Sequence, residues 1–313
     1  MHNQDDFTGK RVLITGASGF IGQHLMHRLR DCGASISTIG RNPASFPPDV
    51  NQYPIDIRDA GSVNSCLTAC KPEYIFHLAA YKEREESVQA FYTSIETNLI
   101  GSLNLFTAAR NADSARSIVI LGTAEEYGND APPFQEEARE CPVTPYSFSK
   151  ACVSHLGELF FRLYQIPVVT IRPTLAYGPG QGQDMFLPAL ITTLHEGRPF
   201  AMTAGEQTRD FIYVSDLIEA IILACGKEPL HGQILNIGSG TPVKLAQIAT
   251  MIERMMQKQG LVRLGERPYR KNEMMDYAVS LEKAGRLLGW RPRIPLKEGL
   301  RRTIGYYTGE RQV

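Results

Sequence analysis

The stretch RVLITGASGFIG (Arg11–Gly22) passes from an apolar run through three glycines into an amphipathic pattern. Arg11–Thr15 reads as a buried strand and Phe20–Arg30 as a helix with Ile21, Leu25 and Leu29 along one face. Between them Gly16, Ser18, Gly19, Phe20, Ile21 and Gly22 form a strand-to-helix turn. Its glycines allow a tight bend and let backbone N–H groups approach a pyrophosphate, which the helix N-terminus also attracts. The spacing GxxGxxG is a modest signal alone, because glycines often simply end strands. Its place between a buried strand and an amphipathic helix makes it a candidate dinucleotide site.

Further along the chain, Ser35–Gly40, Tyr74–Ala80, Ser117–Gly122 and Pro167–Arg172 read as strands, and Ile95–Arg110 and Ser147–Tyr164 as helices. Strands separated by helices imply parallel crossovers and a sheet covered on both faces. The expected fold class is therefore α/β, a Rossmann-type doubly wound parallel sheet. After AYGPGQGQ (Ala176–Gln183) strands thin out, and helices are expected at Leu187–His195, Asp216–Ala224, Leu245–Gln257 and Leu281–Leu288. We expect an NAD(P)-binding domain over residues 1–175. Residues 176–313 then form a smaller mixed lobe for substrate, with the chain crossing back.

The 33 basic and 33 acidic residues cancel, so nothing points to nucleic acid or an anionic membrane as the main partner. The opening residues lack the basic-then-apolar pattern of a signal peptide, and no apolar run approaches the ~18 residues of a membrane span. A cytoplasmic location is expected. Six cysteines occur without a CxxC pair, so reduced, structural thiols are expected and no metal site, although Cys66 and Cys70 share a helix face.

Cofactor choice turns on the end of the second strand. An NAD site usually offers an acid there for the ribose 2′-hydroxyl. This chain has Gly40, Arg41 and Asn42, with no acid between Ser35 and Asn42, and an arginine can hold a 2′-phosphate. NADP(H) is expected over NAD(H), against the alternative of a solvated loop arginine. Asp56, followed by Ile57, comes after a third strand, where its carboxylate can meet the adenine edge.

Tyr146 and Lys150 stand four residues apart at a helix start, on one face. A free tyrosine titrates near about 10. A fixed ammonium favours the phenolate and suits the tyrosine to proton exchange with a carbinol or carbonyl at neutral pH. The pair alone is common by chance; with the glycine turn and Thr123 at a strand end it becomes specific.

The motifs GASGFIG, HLAA (His77–Ala80), TNLIGSLNL around Asn98, GTAEEYG (Gly122–Gly128), YSFSK, RPTLAYGPGQ and QTRDFIYVSDL (Gln207–Leu217) occur in an order that resembles the extended short-chain dehydrogenases/reductases. The likeness runs from about Lys10 to about Tyr307, and several motifs match the branch that modifies nucleotide sugars. The resemblance implies Tyr146 as acid/base, Lys150 as its electrostatic partner and a ribose ligand, and Thr123 as hydrogen-bonding the sugar oxygen. It implies that Leu78, Ala79, Ala80 and Asn98 border the cofactor. Arg209 would grip the substrate diphosphate, which suits a planar guanidinium; an interstrand ion pair with Asp210 or Asp216 is its alternative. Arg267, in ERPYRKNE, is a weaker nucleotide candidate, and Val279 stands where relatives usually carry an acid. Asn236 reads as structural. Among the charges of YKEREE, expected to be a solvated face, Lys82 and Arg84 are candidates for a charged sugar substituent. The substrate implied is a nucleotide-diphosphate sugar. A homodimer is expected, joined through Leu99, Leu103 and Phe106 of one helix and Leu156, Leu159, Phe160 and Leu163 of the other.

The family's reactions diverge after Thr123. Glu125 matches the acid of the dehydratases, whereas Ala124 replaces the acid that would protonate a leaving hydroxyl. This half-set, with the NADPH reading, makes a 4-keto(-6-deoxy) sugar nucleotide reductase the first expectation. A 4-epimerase, or a 4,6-dehydratase or decarboxylase using Glu125, is the alternative. A non-catalytic NAD(P)-sensing protein is a reading of another class, opposed by the intact Thr–Tyr–Lys set. Glu126 is expected to be a solvated loop charge.

Overall fold

Val12, Leu13, Ile14 and Thr15 are all buried in the first strand, as a strand covered on both faces requires. The computed structural model describes residues 6–82 and 87–309. In order the chain forms β1 (Arg11–Thr15), α1 (Phe20–Asp31), β2 (Ser35–Gly40), β3 (Asn51–Pro54), α2 (Ala60–Cys70), β4 (Tyr74–His77) and α3 (Val88–Ser94). Next come α4 (Gly101–Ala112), β5 (Ser117–Leu121), α5 (Pro145–Tyr164), β6 (Val168–Pro173), β7 (Leu175–Tyr177) and α6 (Phe186–His195). The remainder is β8 (Phe200–Ala201), β9 (Thr208–Arg209), β10 (Phe211–Tyr213), α7 (Val214–Ala224), β11 (Ile234–Ile237), β12 (Val243–Lys244), α8 (Leu245–Met255), β13 (Val262–Arg263), α9 (Glu282–Leu288) and α10 (Leu296–Thr308).

Seven strands make one parallel sheet in the order β11-β6-β5-β4-β1-β2-β3. From β1 the chain winds one way through β2 and β3, then restarts on the other side with β4. The crevice at that reversal, outside the strand C-termini, is where such sheets bind ligands. The register sets Thr15 beside both Ile39 and His77, and His77 beside Ile120. The glycine turn, Leu78–Ala80 and Thr123 thus emerge along one edge.

On one face Leu25, Met26 and Leu29 of α1 pack with Leu217 and Ile221 of α7; on the other, Val63 and Leu67 of α2 pack with Phe106 of α4 and Phe160 of α5. A third core joins Leu190 and Ile191 of α6, Ile248 and Ile252 of α8, and Leu300 and Ile304 of α10.

Three differences from the sequence reading have local causes. The strand expected to reach Ala80 stops at His77, because the chain then bends across β1, with Leu78 N on Thr15 O (3.1 Å) and Ala79 N on Thr15 Oγ1 (3.1 Å). The helix expected from Ile95 begins as a π-helical stretch, Ile95–Ile100, continuous with α3 before it and α4 after it. Phe106 and Phe160, assigned above to a dimer surface, point into the second core, and Leu99 and Leu156 lean on it; Leu103, Leu159 and Leu163 remain exposed.

Candidate active site

At the nucleotide end, Gly16 adopts φ +73°, and a Cβ there would lie 2.6 Å from Ala79 N. A Cβ on Gly22 would meet Gly16 O at 2.2 Å, so α1 sits hard against the turn. Gly19 caps α1 with no side-chain hydrogen bond, its own N–H reaching Gly16 O at 3.1 Å. Among the described residues no capping side chain competes with an anion for the first helical N–H groups. Phe20 and Ile21 pack half-buried against the first core. Beside Ser18 a cavity of about 260 Å³ opens between the ends of β2 and β3, lined by Thr38, Gly40, Asn42, Phe46, Gln52 and Tyr53 among others. A nucleoside fits this shape, and the bare glycine turn fits a pyrophosphate.

Arg41 is exposed between two residues lining that cavity. Asp56 pairs with Arg58 at 2.6 Å, and this contact, chiefly, holds its carboxyl below the usual range, with Arg41 adding a smaller pull. Ile57 points inward: it is buried in the second core, against Gly101.

At the catalytic end, Thr144 and Ser147 cap α5 reciprocally and Pro145 opens its first turn. That fixes half-buried Tyr146 in the first turn and buried Lys150 one turn later. Ser149 Oγ donates to Tyr146 O (2.8 Å) and accepts from Asn98 Nδ2 (2.8 Å). Asn98 also grips the Tyr81 backbone, accepting from its N at 2.7 Å and donating to its O at 3.0 Å. The π-helical stretch therefore uses Asn98 to brace the segment after Ala80 against the start of α5. His77 joins Thr15 Oγ1 (2.7 Å) to Ser102 Oγ (2.9 Å), and burial, helped by Lys150, pushes it down to about 3, so it is neutral. Burial pushes Lys150 down to about 8, with Glu126 pulling the other way.

Thr123 caps a short 3-10 turn, Ala124–Tyr127; its Oγ1 accepts from Glu125 N at 3.2 Å. Glu125 is half-buried and Ala124 fully buried. Glu126 corrects the sequence reading: it is not a solvated charge but wholly buried. Its Oε1 accepts from Thr123 N (2.8 Å), and its Oε2 from Ser154 Oγ (2.7 Å) and Arg172 Nε (2.7 Å). Arg172 Nη2 pairs with Glu140 at 2.6 Å, and the guanidinium lies over the Tyr127 ring, 4.7 Å from its centre. A buried guanidinium demands such partners, and the place of Arg172 within the buried strand β6 was the available signal.

Tyr277 was not legible in the sequence, where no spacing links it to the site. Its phenol is buried beside Thr123 and Glu125, and burial, with Glu125 adding, raises it well above its ordinary value; Arg209 and a Thr123 hydrogen bond oppose. Asn236 is structural, accepting from Tyr127 OH (2.8 Å) and donating to Phe134 O (3.0 Å).

Arg209 donates to Thr208 O and Met274 O, both at 2.7 Å, and pairs with Glu273. Asp210 binds the Ser239 and Gly240 backbone and Asp216 the Arg293 and Ile294 backbone. Arg267 is exposed. Lys82 is exposed, 3.9 Å from Asp184, and Arg84 lies outside the described residues.

The sequence matches the model of the NAD dependent epimerase/dehydratase family over residues 12–238. The chain belongs to that family. It is an NAD(P)-dependent enzyme of the extended short-chain dehydrogenase/reductase type. A UDP-glucuronate 4-epimerase of Thermodesulfobacterium geofontis is 26% identical, the alignment covering 94% of this chain and 95% of that one. A dTDP-glucose 4,6-dehydratase of Escherichia coli is 28% identical, over 95% and 92%. The UDP-glucose 4-epimerase of Thermus thermophilus, solved in complex with NAD, superposes with a TM-score of 0.88 at 27% identity, over 96% and 99%. No helix among the described residues is long and apolar enough to cross a membrane.

Proposed function

We propose that this family member is a cytosolic 4-keto sugar nucleotide reductase, catalysing carbonyl–carbinol exchange at C4 of a nucleotide-diphosphate sugar. Bound NADP(H) supplies the hydride. Gly16, Ser18, Gly19 and Gly22 would hold its pyrophosphate, Leu78–Ala80 would border it, and the cavity between β2 and β3 would take its adenosine. Exposed Arg41, with no acid on β2, supports NADPH through a 2′-phosphate. Thr123 Oγ would hydrogen-bond the C4 oxygen, Tyr146 would give that oxygen its proton, and the buried Lys150 ammonium would favour the phenolate left behind. Arg209 would exchange Glu273 for the substrate diphosphate.

The observation that carries this reading is Ala124. It is fully buried between Thr123 and Glu125, and Glu126 is buried against Arg172, so beyond Glu125 the turn offers substrate no acid to expel a hydroxyl as dehydration requires. The relatives support a second reading, a 4-epimerase, in which the same three residues work twice and cofactor is regenerated. Nucleotide-diphosphate 4-keto-6-deoxy sugars with NADPH, and the corresponding 4-hydroxy sugars with NAD⁺, separate the two. A reductase oxidises one NADPH per sugar. An epimerase inverts C4 with no net change in cofactor, and that result would replace the reductase reading.

We also propose a homodimer. Val88, Phe91 and Tyr92 of α3, Leu103 of α4, and Phe148, Leu159, Leu163 and Tyr164 of α5 are exposed, and Phe91 meets Phe148 with ring centres 6.2 Å apart. This apolar face spans helices on one side of the sheet, which suits a second copy of the chain.

A further inference from the structure

Glu126 lies inside the protein behind Thr123, and the mechanism above gives it no task. We propose that Glu126 is a positioning residue for the catalytic trio: its carboxylate fixes the Thr123 end of the site and supplies the counter-charge to the Lys150 ammonium. This rests on the roles proposed above for Thr123, Tyr146 and Lys150.

The geometry joins the two ends. One carboxylate oxygen holds the backbone of Thr123 at the end of β5; the other holds Ser154 on α5. Ser154 follows Lys150 by one turn, so both occupy the same helix face, and both are buried. A shift of Glu126 therefore moves Thr123 relative to the face that carries the lysine.

Charge counting points the same way. The charged groups that meet here are Glu126 and the half-buried Glu140 against Arg172 from β6 and Lys150 from α5, while Glu136, buried near Tyr127, accepts from Asn236 N at 2.9 Å. Glu140 already meets Arg172 at 2.6 Å, with His155 of α5 on its outer side at 3.3 Å. Were Glu126 a partner of Arg172 alone, Lys150 would be a buried cation without a counter-charge, which is costly. The other titratable neighbours add no charge: His77 from β4 is held neutral, Tyr127 lies against Arg172, and burial pushes the Cys152 thiol up. Burial pushes Lys150 down to about 8 against the opposing effect of Glu126; without the carboxylate it would fall further.

The test is the pH dependence of kcat/KM at saturating NADPH for the full-length enzyme and its Glu126→Gln, Glu126→Asp and Glu126→Gln/Arg172→Gln variants. The alkaline limb should fall by about one pH unit in Glu126→Gln, within the range expected for a nearby opposite charge. Glu126→Asp, which keeps the charge, should restore most of it. The double variant buries neither charge of the pair; it reads the same limb if the single variant fails to fold, and its limb should fall likewise. A purely structural role would lower activity at every pH and leave the limb in place, and that result in a folded variant overturns the proposal. If Tyr146→Phe stays active in the same assay, the assignment of the trio fails instead.

Discussion

Replacing Gly22 by Ala tests the cofactor turn through a contest between two opposed effects. Alanine is the better helix former by about 1 kcal/mol, so in an open helix the change would stabilise. Here the added Cβ would lie 2.2 Å from Gly16 O, 2.8 Å from Ala17 Cα and 3.0 Å from Ala17 C, whereas carbon contacts settle at roughly 3.5–4.0 Å. All three neighbours are backbone and cannot rotate aside, so α1 must retreat from the turn by on the order of 1 Å. Overpacking of this kind costs about 1–3 kcal/mol, so the steric effect outweighs the propensity. The retreat also moves the N–H groups offered to the pyrophosphate. NADPH affinity should fall at least about tenfold, or about 1.4 kcal/mol. Gly285→Ala in α9 is the control, since its nearest foreign atom is Trp290 O at 4.0 Å. It should leave binding unchanged and stability equal or slightly higher. Calorimetric titration with NADPH and urea unfolding read both. Wild-type affinity and stability in Gly22→Ala would refute the argument, as would equal damage from Gly285→Ala.

Arg41→Ala should weaken NADPH binding several-fold more than NADH binding, because only NADPH brings a phosphate to the guanidinium; tighter binding of NADH than NADPH by the wild type would show that β2 was misread. Glu125→Gln should alter sugar affinity and trap no keto intermediate, since Ala124 leaves elimination without its acid. Solvent deuterium appearing at sugar C5 during turnover would count against that. Sedimentation should show a dimer that Leu163→Glu, on the exposed face of α5, dissociates; a monomer at every concentration would remove the proposed interface.

Much of the fold was legible because buried parallel strands and amphipathic helices leave periodic signals. Arg11–Thr15, Ser35–Gly40 and the helix ending at Tyr164 were read with their ends within two residues. Elements whose existence depends on distant partners were not. The strand Ile234–Ile237 is four residues long and is defined by pairing with β6, a relation that no local pattern announces. The cap of α2, by contrast, is written locally, in Asp59 accepting from Gly61 N and Ser62 N. At the site, Thr123, Tyr146 and Lys150 were visible as motif residues. Glu126 was misread because acid after acid on a short turn resembles a solvated loop. Its burial follows from Arg172, 46 residues on, which needs a carboxylate inside the protein. Tyr277 reaches Thr123 from the far end of the chain, a proximity set by tertiary packing alone.

Single-turnover rates of Tyr146→Phe show whether Tyr146 exchanges the proton at the sugar oxygen. The protein would be mixed with NADPH and a nucleotide-diphosphate 4-keto-6-deoxy sugar while nicotinamide absorbance is followed, with the affinities of both ligands measured separately. Loss of a positioned acid should slow the reaction by about 10²–10⁴-fold while both affinities stay within about twofold. A phenylalanine variant that turns over at close to the wild-type rate would contradict the account.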